Sequence, residues 1–222
     1  MKYSINKNLM DNIDTEEKAY WLGFFYADAY NNEKLGRLVV ELQERDKDHL
    51  YKCAKFFGQP REPFMQKKNG GKYIAYRLEL NSKYLAKSLA NSGCHQTKSF
   101  DIIWPGWLEK NLVRHFLRGY FDGDGCLYVN KSDDQLGMSI VSTKEMIQSI
   151  KEILSEKTKI NSYISHPERY AGNTYRLDSG GSRQVLRFCE WIYKDATIFL
   201  DRKHQIYSEY KNTHTPRFIE TK

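Results

Sequence analysis

The sequence has few cysteines and no long hydrophobic run. Its four cysteines lie singly along the chain, and because no C-x-x-C pair occurs we expect buried free thiols rather than a zinc site or disulfides. The strongest apolar segment, residues 20–29, is too short to span a membrane and contains a carboxylate. Residues 1–17 are polar and lack the apolar core of a secretory signal. These absences predict an intracellular protein that has no membrane partner.

The composition is that of a folded, basic protein. Hydrophobic residues make up 40% of the 222 residues and aromatic residues 14%, which excludes a disordered tail or a collagen-like repeat. Lys and Arg number 35 against 28 Asp and Glu, a formal charge of +7. The basic excess is shared by both halves of the chain, so there is no basic tail. A charge of this sign is typical of proteins with polyanionic partners.

A ten-residue pattern occurs twice in the chain. Residues 20–29 read YWLGFFYADA, and residues 116–125 read FLRGYFDGDG. Each copy runs from apolar residues through a glycine and two aromatic residues to a carboxylate between small residues. An internal repeat of this kind predicts two structural units of the same type.

The segments that follow each copy also correspond. Alternating and helical spacing predicts, after each copy, a strand, a helix, a second strand and a second helix. The ranges are 35–43, 46–57, 76–80 and 82–92 in the first half, and 136–142, 143–154, 175–179 and 182–193 in the second. A polar, turn-rich segment also precedes each second strand. Together with the motif helix, these segments predict that each half contains, in order, a helix, two strands, a helix, two strands and a helix. The predicted fold class is α+β, with half-domains at 1–103 and 111–222 and a linker at 104–110.

The repeated pattern itself points to helix pairing and to metal chemistry. Gly23 and Gly119 lack a Cβ and would let two helices approach closely. If the helices pair side by side, Asp28 and Asp124 emerge at the same end, where the helix dipoles add to their charge. Such a site favours a hard divalent cation with oxygen ligands. In a basic protein, this predicts hydrolysis of phosphodiesters.

These residues resemble the LAGLIDADG homing endonucleases, in the single-chain form that has two motif copies. WLGFFYADA at 21–29 is similar to the first copy and LRGYFDGDG at 117–125 to the second. The resemblance implies two pseudo-symmetric αββαββα half-domains that are paired through the motif helices and form a β-saddle on the major groove of double-stranded DNA. It also implies a monomer that acts as a pseudo-dimer and cuts both strands of a long, non-palindromic target.

The resemblance assigns roles to individual residues. Asp28 and Asp124 occupy the eighth motif position and would be the catalytic metal ligands, together with Ala29 and Gly125. The expected cofactor is Mg²⁺, with Mn²⁺ as a substitute and Ca²⁺ supporting binding without cleavage. The remaining candidates are two catalytic lysines, Lys98 and Lys203, and three residues that would position water, Gln43, Glu44 and Ser142.

Basic residues on predicted strands and turns are the candidates for DNA contact. Arg77 and Arg176 lead because they hold the same place in both repeats. The full set is Lys34, Arg37, Lys67, Lys68, Lys72, Arg77, Lys131, Arg169, Arg176 and Arg183.

The chain departs from the family pattern at two places, and two other functions stay open. The sixth motif position is Tyr26 in one copy and Asp122 in the other, and Ala29 stands where the family usually has glycine. A positive φ at Ala29 would cost stability and tilt Asp28. The alternative functions are an RNA-binding intron maturase of the same fold and a DNA-binding regulator that does not cut. The expected setting is an intron, a phage or a free-standing mobile gene, which places the protein in the cytoplasm, the nucleoid or an organelle.

Overall fold

The computed structural model describes residues 5–58, 62–96, 101–167 and 172–219, with side chains as far as 214. The helices and strands follow the predicted order, and one further helix, at Asp201–Ile219, comes after the predicted elements of the second half. The helices are α1 (Glu16–Asp28), α2 (Lys47–Phe56), α3 (Lys83–Asn91), α4 (Val113–Asp124), α5 (Lys144–Thr158), α6 (Ser182–Tyr193) and α7 (Asp201–Ile219). The strands are β1 (Ala29–Asn32), β2 (Arg37–Gln43), β3 (Phe64–Lys68), β4 (Tyr73–Asn81), β5 (Gly125–Asn130), β6 (Gln135–Ser142), β7 (Tyr163–Ser165) and β8 (Tyr175–Ser179). The predicted α+β class is therefore confirmed.

Contacts among the described residues divide the chain into two compact units. The first falls within Met1–Lys98 and Trp107–Gly123, and the second within Ser99–Gly106 and Asp124–Lys222. The sequence boundary at residue 111 follows the repeat, whereas α4 packs with the first unit as far as Gly123. No helix in the described part of the chain is long and apolar enough to span a membrane.

The first unit contains a four-stranded antiparallel sheet in the order β1-β2-β4-β3. In its centre, Val40 pairs with Ala29 on one side and with Leu78 on the other. All three side chains are buried, because alternate residues of each strand face the helices. Asn31, on that same face, donates to the carbonyl of Ala86 in α3 at 2.8 Å. The opposite face of this sheet is partly exposed.

The second unit repeats this topology, with strand order β5-β6-β8-β7. Here Ile140 pairs with Gly125 and with Leu177, so it is the equivalent of Val40 in the first sheet. Buried residues on this face, such as Met138 and Ile140, pack against α5 and α6. Helix α5 begins at Thr143, whose side chain accepts from the N–H of Met146 at 3.3 Å, the N-cap contact that threonine makes well.

Helices α1 and α4 pack against each other within the first unit, as the glycines predict. A Cβ on Gly23 would lie 2.9 Å from the backbone nitrogen of Tyr120, and a Cβ on Gly119 would lie 2.9 Å from that of Phe24. Because both neighbours are backbone atoms, neither position tolerates a side chain. The contacts advance along both helices in the same direction, so the two helices are parallel and end together near Gly123.

One expectation about a single residue is not met, and the condition under which Ala29 would be strained does not arise. Cys53, Cys94 and Cys189 are buried as expected, but Cys126 is exposed, because its position on β5 points away from the helices. Ala29 has φ −91°, which is ordinary extended backbone. The strain that a positive φ would impose on alanine at this place is therefore absent.

Candidate functional site

The two motif aspartates lie at the ends of the helices that carry them. Asp28 is the last residue of α1 and Asp124 is the last residue of α4, and both are exposed. An oxygen of Asp28 would lie 3.5 Å from a Cβ on Gly123, so this carboxylate is held at the C-terminal end of the α1–α4 pair. Each helix leads directly into a strand, because β1 starts at Ala29 and β5 starts at Gly125.

The predicted lysine of the second half lies beside its motif. Lys203 is in the first turn of α7 and is only 1% exposed. Its Nζ donates a hydrogen bond to the carbonyl oxygen of Gly125, the residue after Asp124. The fold thus holds the amino group of Lys203 at the start of β5. The matching candidate in the first half, Lys98, lies outside the described residues.

Strand pairing fixes the register of the residues proposed to position water. Gln43 and Ser142 end β2 and β6, but the equivalence of Val40 and Ile140 matches Gln43 to Thr143 and Ser142 to Leu42. Thr143 uses its hydroxyl to cap α5 and to donate to the carbonyl of Ile102. The two halves therefore offer different side chains at this place. Gln43 and Glu44 are exposed and line one groove of the first unit.

The donors near the motif are oxygen atoms. Within the described ranges, no group of three or more His, Cys, Asp or Glu side chains is arranged to hold a metal ion. Mg²⁺ is usually bound through one or two carboxylates, with water and phosphate oxygens completing its coordination. A carbonyl oxygen such as that of Gly125 has two lone pairs, so one bond from Lys203 leaves it able to accept again. Each motif end, taken by itself, offers carboxylate and carbonyl oxygens of the kind that a hard divalent cation binds.

A buried polar network joins the helix pair, and the sequence did not reveal it. Tyr20 donates from its hydroxyl to Asp122 at 2.8 Å and lies 2.9 Å from Nε2 of His49. The hydroxyl has one proton, which goes to Asp122, so His49 is the donor in the second bond. Asp122 is 2% exposed. The signal available in the sequence was the carboxylate at the sixth position of an otherwise apolar motif.

A second buried cluster lies one turn away on the same helices. Arg118 is fully buried and pairs with Glu16 at 2.6 Å. It also donates to Nδ1 of His115 at 3.1 Å. Burial, followed by the nearby Arg118 charge, lowers the pKa of His115 to about 4. His115 is therefore neutral near pH 7 and accepts from the guanidinium.

The predicted DNA-contact residues are spread over several surfaces. We use "open face" for the side of each sheet that faces away from the helices. Arg37, Lys68 and Arg77 lie on the open face of the first sheet, as strand pairing shows, whereas Lys67 lies on the other face. Arg183 is on α6, at the helical side of the second sheet. Three more of these residues are exposed in turns: Lys34, Lys72 and Lys131. Arg176 is on the open face of the second sheet. Arg169 lies outside the described residues.

The two leading arginines are equivalent, and each is held by an acidic neighbour two residues on. Arg77 pairs with Glu79 at 2.8 Å and Arg176 with Asp178 at 2.7 Å. On the first open face, Glu41 additionally pairs with Lys68 at 2.8 Å. Alternate residues of a strand share a face, so each arginine and its acidic partner lie on the same face of their sheet. The acidic partners therefore neutralise part of the positive charge of the two arginines.

Comparison with known proteins identifies the fold. Residues 111–193 match the model of the LAGLIDADG-like domain. The I-LtrWI LAGLIDADG homing endonuclease bound to target DNA has TM-score 0.60 at 12% identity, over 97% of this chain and 92% of that one. Full-length DUF199/WhiA from Thermatoga maritima has TM-score 0.55 at 20% identity, over 96% and 70%. The I-SmaMI LAGLIDADG homing endonuclease bound to cleaved DNA has TM-score 0.51 at 15% identity, over 87% of each chain.

The chain is therefore a protein of the LAGLIDADG fold. Residues 111–193 match the LAGLIDADG-like domain model, and the resemblance predicted from the two motif copies is confirmed. No curated protein matches the sequence. Because the fold is shared by proteins named as homing endonucleases and by DUF199/WhiA, the fold alone does not distinguish a nuclease from a protein of another activity.

Proposed function

We propose that the chain is a site-specific endonuclease that hydrolyses both strands of double-stranded DNA with Mg²⁺ as its cofactor. One observation carries the proposal: both motif helices end in an exposed aspartate, although most of each helix is buried. Packing of the two motif helices against each other does not require a carboxylate at their exposed ends. The matched structures named as DNA-bound homing endonucleases support DNA as the partner.

In this proposal each aspartate serves the cleavage of one strand. Asp28 and Asp124 would hold the metal, with the carbonyls of Ala29 and Gly125 as further oxygen donors. The metal, when bound, lowers the pKa of the attacking water and stabilises the leaving oxygen. Lys203 holds its amino group at Gly125, and the protonated amine would favour a phosphate bound at this motif end. Gln43, Glu44 and Ser142 remain the candidates for orienting water, and Lys98 is the candidate lysine of the first half.

The open faces of the sheets are the proposed DNA-contact surfaces. A β-ribbon fits the major groove, where each base pair presents a distinct pattern of donors and acceptors. The two open faces carry different side chains, so the target need not be palindromic. Binding is expected to weaken steeply with salt, because phosphate contacts release counterions.

The proposal is tested by cleavage of a DNA library. Purified protein is incubated with Mg²⁺ and pooled DNA from relatives that lack this gene, and the broken ends are sequenced, with EDTA as the control. A single metal-dependent cut site is the expected result. Asp28→Asn and Asp124→Asn should each abolish double-strand cleavage while binding in Ca²⁺ persists. Asp48→Asn, at an exposed carboxylate on α2, should cut like the wild type.

Two outcomes would contradict the nuclease. If both motif variants cut at the wild-type rate, Asp28 and Asp124 are not the metal ligands. If the wild type binds one DNA sequence but does not cut it with Mg²⁺ or Mn²⁺, the chain is a DNA-binding regulator. A preference for intron RNA over duplex DNA would instead indicate a maturase.

A further inference from the structure

A groove on the helical side of the second unit is lined by basic side chains around one tryptophan. It has a volume of about 510 Å³ and lies where α5 and α6 end. These helices cover the face of the second sheet opposite to its open face. The groove is thus separate from the surface proposed to contact duplex DNA. Its lining includes Lys157, Lys159, Arg187, Glu190, Trp191 and Lys194.

Some of these charges are used within the fold. Arg187 donates to the carbonyls of Thr158 at 3.0 Å and Lys159 at 3.2 Å, so it satisfies the C-terminal end of α5. Glu190 pairs with Lys211 at 3.1 Å, which neutralises this carboxylate. The helix ends do favour cations, and Arg187 already meets that need for α5.

Two lysines of the groove differ from Arg187 and Glu190, because no described residue engages their charged groups in an ion pair. Lys159 and Lys194 are both exposed, and no ion pair involves either of them among the described residues. Lys159 sits in the left-handed region at φ 53°, immediately past α5, and Lys194 follows α6. Trp191, which lines the same groove, is partly exposed. The groove therefore presents unneutralised positive charge next to an aromatic side chain.

We propose that this groove binds a single-stranded nucleic acid, with phosphates on Lys159 and Lys194 and an unpaired base on Trp191. Positive charge that follows a backbone, combined with an aromatic platform, is the general chemistry of single-strand binding. A base inside a duplex is stacked on its neighbours and is not available to a side chain. The groove therefore favours single strands over duplexes.

The test measures binding of fluorescein-labelled oligouridine and oligothymidine by anisotropy over a range of KCl concentrations. The variant Lys159→Gln/Lys194→Gln should weaken binding about tenfold and lower the log–log salt slope by about 1.4, because two single-strand phosphate contacts are lost. Trp191→Leu should also weaken binding about tenfold but leave the slope unchanged, because stacking involves no counterions. The RNA and DNA arms show whether the 2′-hydroxyl matters.

The control is Lys151→Gln, at an exposed lysine of α5 outside the groove, which should bind like the wild type. Melting curves verify that each variant is folded. The proposal is wrong if the wild type does not bind single strands, if the groove variants bind like the wild type, or if Lys151→Gln loses as much affinity as they do. It is also wrong if the wild type prefers a random-sequence duplex and the groove variants lose that binding equally. None of these results depends on DNA cleavage.

Discussion

At the sixth position of the repeated motif, the two halves use different side chains for different contacts. Tyr26 of α1 donates to the carbonyl of Ser92, at the end of α3, and so ties the helix to its own half. Asp122 of α4 accepts from Tyr20 and so ties the helix to its partner. The backbone contacts of the two glycines are by contrast nearly symmetric. The repeat thus supplies a common backbone geometry, and single side chains determine what each copy is fastened to.

The largest loss of stability is expected at the two motif glycines, where the two halves make nearly symmetric contacts. Gly23→Ala places a Cβ 2.9 Å from a backbone nitrogen that cannot rotate away, so we expect a loss of about 3 kcal/mol in the free energy of unfolding. Gly119→Ala should cost about the same. Urea titration measures both. Gly180→Ala, where the added Cβ meets nothing within 4 Å, is the control and should change stability by less than about 0.5 kcal/mol.

Equal stability of the Gly23 variant and the Gly180 control would show that α1 and α4 are not in backbone contact.

The difference between the two halves is tested by comparing the stability lost when the sixth motif residue of each half is changed. Asp122→Ala leaves the buried hydroxyl of Tyr20 without its acceptor, and we expect a loss of about 2 kcal/mol. Tyr26→Phe removes one donor from a carbonyl and should cost about 1 kcal/mol. A double-mutant cycle of Tyr20→Phe with Asp122→Ala isolates the shared bond. Additive effects of those two changes would contradict the network.

The cluster around His115 adds a dependence on pH. Its pKa of about 4 in the folded state lies below the usual value of about 6.5 in an unfolded chain. As the pH falls from about 6.5 to 4, the unfolded state takes up a proton that the folded state refuses, so stability decreases over that window. His115→Gln should flatten this part of the melting-temperature profile. Parallel profiles for the two proteins would show that His115 titrates normally.

The smallest effects are expected on the open faces. Arg77→Gln removes the ion pair of Glu79 and leaves Glu41 paired with Lys68. Arg176→Gln removes an ion pair from one carboxylate, that of Asp178. Each change should lower the salt slope of duplex binding by about 1, and the Arg77 variant should lose more affinity. Anisotropy with a random-sequence duplex measures both quantities. If the Arg176 variant loses more, the second open face makes the stronger phosphate contacts.

Much of the fold could be predicted because the repeat is visible twice. The predicted helix at 182–193 and strand at 175–179 coincide with α6 and β8, since each has clear periodicity and flanking turn residues. Arg77 and Arg176 were matched from local sequence alone, and strand pairing confirms their equivalence. The water-positioning candidates could not be matched in this way, because register depends on hydrogen bonds between distant strands.

The sequence by itself determined the two-unit plan, the close helix approach at Gly23 and Gly119, and the carboxylate at each helix end. Those features are local, since they follow from periodicity, from the missing Cβ and from motif spacing. Only the tertiary structure decided that Lys203 reaches Gly125, that Asp122 pairs with Tyr20, and that Ala29 is unstrained. Each of these depends on atoms far apart in the chain, or on a dihedral angle that residue identity does not fix.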